Sequence, residues 1–147
     1  MKKISFLIVT IFSFSLSYAS EFRSGSIEVS QPYIPFTSNN IRTAAGYLVI
    51  KNDSLVSETL IGVETNFAKV MFHQTIIGSD GVAKMEHLNF IEIPAESKII
   101  LAPSGLHIMF FRIKEKLALG ETKAVTLKFE NAGDVIIKFD VRRVSQK

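Results

Sequence analysis

Three histidines and three of the four methionines in this chain, Met71, His73, Met85, His87, His107 and Met109, all fall between positions 71 and 109. Taken singly, a methionine is a filler of irregular core gaps and a histidine is an ordinary edge residue. Taken together, they offer imidazole nitrogens and thioether sulfurs, which combine into a neutral N₂S₂ donor set. Thioethers are soft and do not titrate, and they favour Cu(I) over zinc, iron or magnesium. Cu(I) is d¹⁰ and accepts a tetrahedral site, whereas zinc wants thiolate or carboxylate where methionine stands here. Other chemistries lack their parts. Without cysteine there is no disulfide, no zinc–thiolate or iron–sulfur cluster, no thiol nucleophile and no thiolate for a blue-copper centre. No Gly-x-Ser-x-Gly elbow and no glycine-rich phosphate loop occurs. Glu92 and Glu96, on either side of Pro94, read as solvated carboxylates. The expectation is a metal binder and not an enzyme.

Those donors need strands to position them. Along 106–113 side chains alternate, so Leu106, Ile108 and Phe110 share one face while His107, Met109 and Phe111 share the other. His107 and Met109 thus stand side by side. Upstream, Ser79-Asp80-Gly81 marks a hairpin turn. A three-residue loop with Gly81 left-handed pairs Gly78 with Val82, sets His73 opposite His87, and puts Met85 diagonally beside His73. A two-residue loop would send His73 and Met85 to opposite faces. The sequence leaves both registers open.

The rest of the chain is patterned for strands as well. Alternating or β-branched runs cover 26–30, 47–51, 59–64, 69–75, 82–88, 98–101, 124–130 and 135–141, with turn residues between them. Turn signals every 8–12 residues or so are the mark of a sandwich or barrel. Pro32 to Asn40, with two prolines and a polar cluster, reads as a loop whose Tyr33 and Phe36 pack over a core edge. Asn66-Phe67-Ala68 reads at most as one helical turn. The fold class expected is all-β.

The first residues read as a leader rather than as part of that fold. Lys2 and Lys3 precede an apolar run from Ile4 to Leu16, and Ser17 and Ala19 stand at the −3 and −1 positions of a cleavage site. This is the pattern of a secretory signal peptide, 1–19, cleaved after Ala19, and the run is short for a spanning helix. Ser20 follows, not a cysteine that could carry a lipid. Residues 20–147 are then one exported domain in the periplasm, long enough to bury a core without disulfides. The formal charge of +3 includes Lys2 and Lys3, and no stripe of Lys and Arg suggests nucleic acid.

His73, eleven residues, Met85, twenty-one residues, then His107-Ile108-Met109 resembles the metal motif of the periplasmic copper chaperones of PCuAC type. Ala44-Ala45-Gly46-Tyr47-Leu48 through Asn52, Gly81-Val82 before Met85, Pro103-Ser104-Gly105-Leu106-His107, and Leu119-Gly120-Glu121-Thr122 are similar to further stretches of that family. Gln74 stands where the family usually has Glu or Met, and Ser104 where Gly is common. The resemblance implies a cupredoxin-like or immunoglobulin-like β-sandwich or barrel of Greek-key type. It implies one Cu(I) held by His73, Met85, His107 and Met109; His87, which shares a strand face with Met85, is the competing donor. It also implies delivery, by a monomer, to the copper-centre subunit of cytochrome c oxidase, with a second copper chaperone as a further partner. A periplasmic copper buffer and a metal-free interaction module are the alternative readings.

Overall fold

The computed structural model describes residues 21–144; the signal-peptide reading concerns residues outside them. Eleven strands follow in order: β1 Glu21–Ser24, β2 Ile27–Pro35, β3 Thr43–Asn52, β4 Glu58–Glu64, β5 Lys69–Ile77, β6 Ala83–Leu88, β7 Ile91–Ile93, β8 Ser97–Leu101, β9 Leu106–Phe111, β10 Thr122–Phe129 and β11 Gly133–Arg142. No helix occurs among the described residues. The strands form a nearly closed sheet in the order β6-β5-β9-β3-β2-β11-β10-β4-β7, with β1 on β2 and β8 on β3. This is the all-β, Greek-key sandwich or barrel that the strand pattern and the resemblance imply.

The closure turns on β3. Its first half, Thr43 to Gly46, pairs with β9, and its second half, Leu48 to Asn52, pairs with β8. One strand thereby belongs to two layers and bends between them. Gly46 sits at that bend, where an added Cβ would lie 2.6 Å from the Phe110 ring and 2.9 Å from the Phe139 ring. Both rings are fully buried, so neither can move aside, and only glycine lets β3 pass this close to the aromatic core.

Period-two burial builds that core. Val125, Leu127 and Phe129 of β10 face Val135, Ile137, Phe139 and Val141 of β11, and Val29, Ile34, Leu48, Ile50, Ile108 and Phe110 complete the interior. These apolar faces are removed from water at roughly 25 cal/mol per Å², and the polar alternates face out.

The strands differ from the sequence pattern at β1 and β7, which fall outside the expected runs, and in two further places. β2 continues past its expected end at 30 to Pro35, because Gln31 takes a left-handed φ of 55° and the register against β3 shifts between Ser30 and Tyr33. Pro32 falls within that bulge, off the ladder to β3, and Tyr33, Ile34 and Pro35 pair with β11 in parallel. The irregular stretch is therefore half strand, with Tyr33 packed on Tyr47 at 5.3 Å between ring centroids. The segment at 66–68 forms bends rather than a helical turn. It buries Phe67, whose carbonyl accepts the Lys114 N–H at 2.9 Å.

Candidate metal centre

The donor residues occupy the sheet β6-β5-β9. In the β5–β6 hairpin the Gly78 N–H donates to the Val82 carbonyl at 2.9 Å, and Gly81 is left-handed with φ 76°. This is the three-residue loop. It pairs His73 with His87 and Thr75 with Met85, so Met85 lies diagonally beside His73 on one face. The second register, β5 against β9, pairs His73 with His107 and Met71 with Met109. All six soft side chains therefore share one face of three adjacent strands, while Phe72, Ile108 and Phe110 turn inward and are buried.

His73 is the hub. Its ring lies 5.9 Å from that of His107, nearly parallel at 21°, and 5.7 Å from that of His87. Phe111 meets it edge-on at 5.6 Å. The two outer imidazoles are fixed by the backbone. His107 Nδ1 lies 3.0 Å from the Gly105 carbonyl oxygen, and His87 Nδ1 lies 3.2 Å from that of Phe72. A carbonyl can only accept, so Nδ1 carries the proton in both rings and the neutral form leaves the Nε2 lone pair bare. A metal-ligating histidine is held in this way. His73 differs: its Nδ1 is buried and has no hydrogen-bond partner. Such an orphan costs free energy unless something occupies it. Burial, and then the neighbouring imidazoles of His107 and His87, push the His73 pKa below its ordinary value, which favours the neutral, metal-binding form.

Exposure is graded across the face. His107 is buried at 5% exposure, Met71 is 44% exposed and Met85 63%. An ion on this face would thus meet a buried inner side on β9 and an exposed outer side on β6, an edge strand paired, among the described residues, with β5 alone. No group of three His, Cys, Asp or Glu able to hold a metal ion occurs among the described residues. The thioethers of Met71, Met85 and Met109 are the further donors on this face, and thioethers favour soft ions. Glu92, exposed on β7, and Glu96, exposed just before β8, lie on neither β5, β6 nor β9.

One neighbouring feature gave no sequence signal. A cavity of about 730 Å³ beside Met71 and Phe111 is rimmed by Arg42, Lys69 and Arg112. None of these three cations is in an ion pair among the described residues. They come from separate segments, so no run of basic residues announces them. Three cations at its rim give this cavity a positive field.

With the geometry in hand, the likeness to known proteins is specific. Residues 27–141 match the family described as putative lipoprotein LpqE-like. The chain is 25% identical over 124 residues to "Putative lipoprotein Lxx21020" of Leifsonia xyli subsp. xyli (strain CTCB07), covering 84% of this chain and 74% of that protein. Among solved structures, the copper-bound PCuAC domain from PmoF2 matches with a TM-score of 0.71 and 26% identity, over 85% of this chain and 99% of that one. The Cu(I) form of DR1885 from Deinococcus radiodurans matches with a TM-score of 0.62 and 28% identity, over 76% and 75% of the two chains. The chain belongs to the LpqE-like family, and its fold is that of the PCuAC-type copper chaperones.

Proposed function

We propose that this protein is a periplasmic carrier that binds one Cu(I) through His73, Met85, His107 and Met109 and hands it to cytochrome c oxidase during assembly. The observation that carries the reading is the His73–His107 pair. Two nearly parallel imidazoles face each other across β5 and β9, one held by a carbonyl and the other with an orphaned nitrogen, among thioethers on the same face. Solved relatives described as copper-bound and as Cu(I) forms support it. The family description supports export, although this sequence holds no cysteine to acylate.

The chain's own residues divide the work. The Gly105 carbonyl fixes the His107 tautomer and aims Nε2 outward, and the neutral His73 ring is ready to bind without first losing a proton. Met85, on the edge strand and exposed, is the donor that an acceptor can most easily displace. Cu(I) supplies only its affinity for soft ligands; it is the cargo, and no bond in the protein changes. Thioethers donate weakly, so an acceptor bearing thiolates can exchange them one at a time.

Titration of the mature protein with Cu(I) against a competing chelator should saturate at one equivalent per chain, with Cu(II) held much more weakly. A protein that takes up no Cu(I) is a metal-free module. Normal oxidase activity in cells lacking the gene under copper limitation would favour the buffer reading over delivery.

Acid should loosen the site by a definite route. Protons compete with the metal for the imidazoles and not for the thioethers. Because the His73 pKa is held below its ordinary value, affinity is expected to fall as pH drops below the ordinary histidine range and to level off rather than vanish. Competition titrations from pH 8 to pH 5 check this, and a flat profile would remove the histidines from the site.

A further inference from the structure

We infer that Met71 is a copper donor, and that this face holds two overlapping His₂Met₂ sets. One ends in Met85 and the other in Met71, with His73, His107 and Met109 common to both. The inference rests on the Cu(I) reading above and names a residue that the sequence motif leaves out.

Register carries it. On β5 and β9, His73 is paired with His107, and two residues along Met71 is paired with Met109. Paired α-carbons on adjacent antiparallel strands lie about 5 Å apart, and neighbours two residues apart on one face lie about 7 Å apart. Two imidazoles and two thioethers therefore form a compact block on adjacent strands. Met85 is placed differently. It pairs with Thr75 on the far side of β5, so β5 lies between it and Met109. It is offset from Met109 by four residues, about 13 Å along the strands, and by two strand spacings, about 10 Å across them. For Met85 to reach an ion that Met109 also holds, the tip of the β5–β6 hairpin has to curl over the face.

The hairpin is built so that it can. β6 is exposed from Ala83 to His87, Ile77 and Val82 beside the turn are exposed as well, and among the described residues β6 pairs with β5 alone. Met71 meanwhile stays at the block whatever the hairpin does, because β5 is held between β6 and β9. It lines the cavities on both sides of itself, one with Phe111 and one with His87, so its thioether is accessible and not packed away as core.

Two states follow. With the hairpin curled in, Met85 completes the site and covers the ion. With the hairpin extended, as in this structure, Met71 completes it and leaves the outer side open. An acceptor can then displace Met85 while the ion keeps four donors, and the carrier need not drop copper to an under-coordinated intermediate.

The test compares wild type with Met71→Leu, Met85→Leu and the double variant, using Cu(I) competition titration and sulfur counting by X-ray absorption at the copper edge. All three variants keep apolar volume at exposed positions, and thermal melts should be unchanged. We expect Met85→Leu to weaken binding by about tenfold or less and still to show two sulfurs. We expect the double variant to fall by a further factor of about ten or more and to show one. A Met85→Leu protein with one sulfur, or a double variant no weaker than Met85→Leu, would overturn the role of Met71 while leaving the Cu(I) reading in place. Wild type that takes up no Cu(I) would overturn both.

Discussion

Replacing His107 with alanine is expected to lower Cu(I) affinity by at least about a hundredfold, a larger loss than any single methionine gives. In the proposed reading His107 belongs to both donor sets; it is buried at 5% exposure, and its Nδ1 bond to Gly105 presets its orientation, so little entropy would be lost on binding. No other imidazole can take its place. His87 is paired with the opposite side of His73 and is directed by the Phe72 carbonyl. His87→Ala is therefore the matched control, expected to stay within about threefold of wild type. Competition titration measures both, and thermal melts separate lost binding from lost folding. If His107→Ala binds like wild type while His87→Ala does not, the ligand set has been assigned to the wrong side of β5.

The second large effect concerns stability, at Glu58. This carboxylate is 5% exposed, yet it is fully engaged. It accepts N–H bonds from Thr59 at 2.8 Å, Asn131 at 3.1 Å and Ala132 at 2.8 Å, and a further bond from the Asn131 side-chain amide at 3.2 Å. It thereby fastens the start of β4 to the turn between β10 and β11. Burial alone would raise its pKa, but these four donors outweigh burial and hold the carboxyl below its ordinary value. A pKa that is depressed in the folded state means that the unfolded chain binds the proton more readily. The stabilisation is then fully present above the unfolded value near about 4.3 and is lost as pH falls through the lower folded value. Glu58→Ala takes the acceptor from the part-buried Asn131 and Ala132 N–H groups and should cost about 1–3 kcal/mol at neutral pH. Glu58→Gln keeps the shape and loses the charge, so its deficit should be smaller at pH 7 and should shrink as pH falls below the ordinary carboxylate range. Urea unfolding at pH 7 and pH 3 reads both. A Glu58→Gln deficit of equal size at the two pH values would show that the charge contributes nothing. Because Glu58 is remote from the histidine face, neither variant should change Cu(I) affinity.

What could be read without the structure was whatever is local. Alternation put His107 beside Met109 because a strand's period is independent of its partners. The Ser79-Asp80-Gly81 loop narrowed β5 against β6 to two registers, and the left-handed Gly81 with the Gly78–Val82 pair shows which one forms. What could not be read depends on distant pairing. No turn joins β5 to β9, so the opposition of Met71 and Met109 is set by the whole core and not by any loop length. The cavity beside Met71 collects Arg42, Lys69 and Arg112 from segments that meet only after folding. β1 and β7 are too short for a pattern to stand out, and β2 runs on through prolines because a bulge at Gln31 re-aims it.

The outer edge of β6 has one more consequence. An unpaired edge is a template on which a second chain could add a strand, and repeated addition builds aggregates. Lys84 and Glu86 point to the same side of the hairpin as the core residue Phe72 and are exposed. A chain stacking edge to edge would have to bury both charges as the enlarged sheet closed over its interior. The edge on which Met85 stands thus carries its own deterrent against self-association.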